Sequence, residues 1–188
     1  MAWRVVGPIL AVALLSACTT TVRGNGVGDS GRLRCPSGAV TDHGAPFCYR
    51  LPSGLTDDSA LDTYGSDWPY RTLVVVAPYD LVEVLADRLD FDSDIYPDGQ
   101  LRTYAEGRLV DFASTAQRTL TGVTPTRVAQ VRAFELTVSL QHGATERAIF
   151  AYRGHTEVFI QCLQRDEPRA AKAGCAAVLR SIQIIDLR

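Results

Sequence analysis

The chain has 188 residues, of which 46% are hydrophobic and 21% charged, and its formal net charge is −2. That length suits one domain able to bury about 70% of the surface its unfolded chain exposes. Its 19 basic residues form no run or stripe against 21 acidic ones, which argues against a nucleic-acid partner.

Arg4 precedes an apolar run from Val5 to Leu15, about 11 residues long. A membrane-spanning helix needs about 20 apolar residues, whereas a secretory signal needs only about 7–15. Pro8 also argues against a lasting helix. The run ends in Leu15-Ser16-Ala17-Cys18, which resembles the bacterial lipobox. On that resemblance residues 1–17 are a lipoprotein signal peptide and Cys18 carries palmitate-type acyl chains. Two or more chains anchor a protein stably. Cysteine parity agrees: five cysteines leave four once Cys18 is lipidated, and an exported chain permits disulfides.

Residues 18–32 are glycine-rich and without periodicity, a flexible tether. Gly26, Gly28 and Gly31 spell G-x-G-x-x-G, but no strand precedes them and no helix follows, so no dinucleotide cofactor is expected. Residues 33–188 form the expected globular domain. Pro36, Gly38, Gly44 and Pro46 make a looped segment between Cys35 and Cys48, short enough to bring the two cysteines together. "YRLPSGLT" from Tyr49 reads as a short strand and turn.

"TLVVVA" (Thr72 to Ala77) is a β-branched run without alternation, a strand covered on both faces. After the break at Pro78, "LVEVLADRL" (Leu81 to Leu89) is read as the second strand of a hairpin, although Leu81, Leu85 and Leu89 also fit helical spacing. Asp98 is expected to cap a helix with Leu101, Tyr104, Ala105, Phe112, Ala113 and Ala116 on one side and Gly122 just beyond its end. Three strands follow, at Ala133 to Leu140, Arg147 to Arg153 and Glu157 to Leu163. Their short turns make an antiparallel meander. A last helix runs from Pro168 to Ile182 with Ala171, Cys175, Val178 and Leu179 inward. Val158, Ile160 and Cys162 share one strand face. A helix returning over it favours a Cys162–Cys175 bridge, which agrees with Cys35–Cys48.

The element order, with "CYRLPSGLTD" (Cys48 to Asp57), "YRGHTEVFIQC" (Tyr152 to Cys162) and "AGCAAVLRSIQI" (Ala173 to Ile184), resembles the PsbP-like fold. More narrowly, it is similar to small actinobacterial envelope lipoproteins of the LpqN-like group. The single lysine, Lys172, beside many arginines suits a GC-rich genome. The resemblance implies an α/β (α+β) class: an antiparallel sheet flanked by helices in a PsbP-like α-β-α sandwich. It also implies non-catalytic, partner-binding relatives.

Candidate chemistry is sparse. Asp90, Asp92 and Asp94 match the first acidic positions of a calcium loop, but Ile95 stands where glycine belongs and Leu101 where glutamate belongs. An acidic connection, with no metal, is expected there. His43, His142 and His155 sit in turns or loops; a hydrolase would require one of them to meet a serine and an aspartate. Tyr64, Trp68 and Tyr70 cluster in "TYGSDWPY" and are the candidate binding surface, since such side chains combine apolar area with a polar tip. The expectation is a lipid-anchored accessory protein on the extracytoplasmic face of the cell membrane. It would dock an envelope protein, need no cofactor and perform no catalysis. The alternatives are a carrier of a lipid or other apolar ligand, and an envelope hydrolase.

Overall fold

The computed structural model describes residues 33–60, 68–113, 119–140 and 143–187. The expected signal peptide (residues 1–17), Cys18, the tether, Tyr64 and His142 lie outside them.

Seven antiparallel strands form the main sheet in the order β3-β4-β5-β9-β8-β7-β6. They are β3 (Thr56–Asp57), β4 (Tyr70–Ala77), β5 (Asp80–Arg88), β6 (Thr119–Val128), β7 (Val131–Ser139), β8 (Thr145–Arg153) and β9 (Thr156–Gln164). Helix α1 (Asp98–Ala113) lies on one face and α2 (Pro168–Ser181) on the other. A smaller sheet joins β1 (Ala39–Val40), β2 (Phe47–Arg50) and β10 (Gln183–Ile184). The expected α+β sandwich is the observed one.

Two apolar clusters hold the layers together. Under α2, Val82, Val84 and Ala86 of β5 and Val158, Ile160 and Cys162 of β9 pack with Cys175 and Val178. Under α1, Leu85 and Phe159 join Phe134, Phe150 and Tyr152 against Leu101, Ala105 and Leu109. Neighbouring residues of one strand thus serve opposite cores, as a strand's two-residue period requires. This explains "LVEVLADRL": residues four apart share a face in a strand as well as in a helix, and covering both faces removes the polar alternation that would have separated the readings.

Two expectations change, and a last strand is added. β6 takes in Gly122, expected just beyond the end of the helix, and also Pro125. β6 is a largely exposed edge strand with a bulge between Leu120 and Gly122, and an edge tolerates proline because its outer rim needs no donor. Asp98 does not cap α1: Leu101 N–H donates to the Pro97 carbonyl at 3.2 Å, and the Asp98 carboxylate pairs with Arg132 at 3.0 Å. The added strand is β10, which pairs with β2 and so brings the last strand of the domain back to its opening segment.

The turn between β8 and β9 is clamped by the C-terminal tail. Gly154 has φ +54°, and a Cβ added there would lie 2.4 Å from the Asp186 carboxyl carbon. That carboxylate accepts the His155 N–H at 2.7 Å. Gly154→Ala is therefore expected to cost about 2 kcal/mol, from the left-handed backbone and the displaced hydrogen bond together. Urea unfolding at constant m-value would measure it; a loss below about 0.5 kcal/mol would mean the tail moves aside freely.

Candidate functional site

Four of the predicted site residues are brought together in pairs. Cys35 and Cys48 are joined, and so are Cys162 and Cys175; each pair has its Cα atoms 5.9 Å apart. The second bridge links β9 to the buried side of α2.

The proposed aromatic surface does not form as one patch. Tyr64 is outside the described residues. Trp68 packs toward the α1 side and Tyr70 toward the α2 side, both half-buried. The physical reason is that β4 begins at Tyr70, so Trp68 precedes the strand and the two-residue spacing does not align them. Tyr70 lies beneath the loop carrying Gly44, whose hypothetical Cβ would be 3.8 Å from the tyrosine ring.

Trp68 instead covers a buried acid. Glu157 stands on the α1 side of β9 and is 1% exposed. Arg108 Nε of α1 donates to its Oε2, and Tyr152 Oη of β8 donates to its Oε1, each at 3.2 Å. The Arg108 guanidinium lies 4.7 Å above the Trp68 ring centroid. Trp68 stacks on Phe159 with centroids 6.0 Å apart, and Tyr104 meets Tyr152 edge-on at 6.3 Å. One helix and two adjacent strands therefore aim a carboxylate, a guanidinium and a phenol at one point, under an indole.

Burial pushes the Glu157 carboxyl up to about 7, against the downward pull of Arg108 and Tyr152; Asp87, its register partner on β5, adds to the rise. Burial and the nearby Glu157 also raise the Tyr152 phenol. A carboxyl that titrates near neutrality can hold or release a proton, and it can receive a cation when ionised. A second polar group lies further along the same sheet face. Arg71 pairs with Glu83 at 2.5 Å, and Gln161 Nε2 donates to the buried Glu146 at 2.8 Å. Burial raises Glu83, against Arg71.

His43 and His155 are engaged through their backbone amides, which donate to Asp42 and Asp186. Asp92 accepts the Asp94 N–H at 2.9 Å and so caps the short 3-10 turn Ser93–Ile95. Among the described residues no three His, Cys, Asp or Glu side chains converge as a metal would need.

Sequence reasoning missed Glu157, Arg108 and Tyr152 as a group. The available signal was an acid opening the mostly apolar strand "EVFIQCL". Nothing in the spacing ties it to a residue 49 positions earlier.

The antiparallel sheet with one helix on each face, beside a smaller three-stranded sheet, matches the PsbP-like fold. The solution structure of cyanobacterial PsbP (CyanoP) from Synechocystis sp. PCC 6803 is similar to this chain, with a TM-score of 0.54 over 78% of this chain and 91% of that one. Sequence identity is 10%, so the likeness is one of fold. No family model and no curated protein matches the sequence.

Proposed function

We propose that the protein is a lipid-anchored accessory protein on the extracytoplasmic face of a cell membrane, akin to the LpqN-like actinobacterial envelope lipoproteins. It acts by docking another envelope protein and not by catalysis. The observation that carries the anchor is cysteine use: of five cysteines, four are consumed in two local bridges, which leaves Cys18 at the end of the apolar run. Two disulfides also suit an oxidising compartment. The docking role is supported by the PsbP-like fold of a protein whose polar clusters are tied into its own sheet.

Two experiments test this reading. Cys18→Ser is expected to shift the protein from the membrane fraction to the soluble fraction; unchanged partitioning would overturn the anchor. In-situ crosslinking in the native envelope with mass spectrometry is expected to give one recurrent protein partner. Lipid co-purifying with no protein crosslink would favour an apolar-ligand carrier instead.

A further inference from the structure

We propose that the pocket around Glu157 is a guanidinium-binding site, closed by the chain's own Arg108, in which an arginine side chain of the protein partner can take Arg108's place. The inference rests on the docking reading above and names the chemistry of one contact.

Two elements that guanidinium recognition uses meet at this site. The first is a carboxylate acceptor, Glu157, 1% exposed and fixed by Tyr152. The second is an indole face, Trp68, which stacks on Phe159. Arginine is the cation best suited to such a place, because its flat fork stacks on an aromatic ring while donating in its plane. Arg108 shows that the space accepts this group.

Arg108 does not use the strongest geometry a guanidinium can make with this acid. It reaches Glu157 through one hydrogen bond of 3.2 Å, at the long end of the range, where a bidentate pair is the strong arrangement. Its side chain is 27% exposed and Trp68 is half-buried, so the two covering groups are the ones that meet solvent. One guanidinium also faces more than one acid. Asp87 is paired in register with Glu157, and Asp87 and Asp90 both act on Tyr104 in the same direction as Glu157. Arg108 is the cation that acts on Tyr104, Tyr152 and Glu157 alike. Asp87 thus sets a second acid beside Glu157 on the neighbouring strand, which favours a cation here. The resident arginine lowers the affinity for an incoming one by the fraction of time it occupies the pocket.

Trp3 and Trp68 are the two tryptophans of the chain, so in a full chain carrying Trp3→Phe the indole emission reports on the pocket alone. This parent and its Arg108→Met derivative, which keeps most of the apolar stem, would be titrated with N-acetyl-arginine amide and with N-acetyl-lysine amide. The expected result is a saturable change in Trp68 emission with the arginine probe in both proteins, at least tenfold tighter in Arg108→Met. The lysine probe should bind at least tenfold more weakly, and adding Glu157→Gln should weaken the arginine probe at least tenfold. Equal binding of the two probes, or no saturable change in an Arg108→Met protein that still melts cooperatively, would overturn the proposal. If Arg108→Met fails to melt cooperatively, the parent alone decides: saturation by the arginine probe that Glu157→Gln weakens tenfold supports the site, and its absence refutes it. A partner found by crosslinking while these titrations fail would leave the docking reading standing and remove only this contact.

Discussion

Asp80→Ala is expected to lower the unfolding free energy by about 3 kcal/mol, a large part of the stability of a domain this size. Asp80 is the first residue of β5 and is completely buried. Its carboxylate accepts the backbone N–H groups of Arg165, Asp166 and Glu167 at 2.5, 2.9 and 2.6 Å. These amides lead into α2, whose N-terminal Glu167 makes no side-chain cap of its own. Asp80 thus does from another strand what a capping residue does locally, and it adds the attraction of a helix N-terminus for negative charge. Alanine would leave buried donors without partners. Asparagine offers one carbonyl oxygen and no charge, so Asp80→Asn should recover less than half of the loss. Urea unfolding of the three proteins measures both effects. A loss below about 1 kcal/mol for alanine would show that water or a rearranged turn satisfies these amides.

Stability should fall as pH rises from about 4.5 to about 7, on the order of 3 kcal/mol from Glu157 alone. The sign follows from the direction of the shift. Burial raises the folded-state value, so between these limits the folded protein binds the proton more tightly than the unfolded chain does. The contribution is fully present below the unfolded value and is lost as pH passes through the folded one. Glu83, raised by burial as well, acts in the same direction. Glu157→Gln keeps the shape and the contact with Tyr152 Oη while removing the ionisation. It should flatten the profile in this window and be more stable than the unmodified protein at pH 8. Denaturant midpoints at pH 5, 6, 7 and 8 would decide; the same slope in both proteins would move the cause to other groups.

The layered fold was legible wherever residues on one element face one partner. β7 alternates Phe134, Leu136 and Val138 with polar neighbours, and α2 carries its inward stripe. Both were readable, as was the Cys162–Cys175 bridge that depends on them. β6 was not, because its edge position relaxes the demands on sequence that define an interior strand. The site was less legible still. Glu157 meets Arg108 only because β9 lies in the middle of the sheet and α1 crosses that face. Such a meeting is a property of packing in space, with no counterpart in local periodicity. Trp68 was singled out for its chemistry, but the partner imagined for it, Tyr70, serves the opposite core.

The pairing of β2 with β10 has a mechanical meaning. β2 holds Cys48, so tension on the chain ahead of Cys35 crosses the sulfur bridge and enters the fold at Cys48. The loop between the two cysteines stays slack. From β2 the load passes in shear into β10, the last strand of the same small sheet. The large sheet is coupled to this path through side chains, with Tyr49 of β2 sharing a hydrogen bond with Thr72 of β4 at 2.9 Å. Tension ahead of Cys35 would strain the sulfur bridge and this short ladder first.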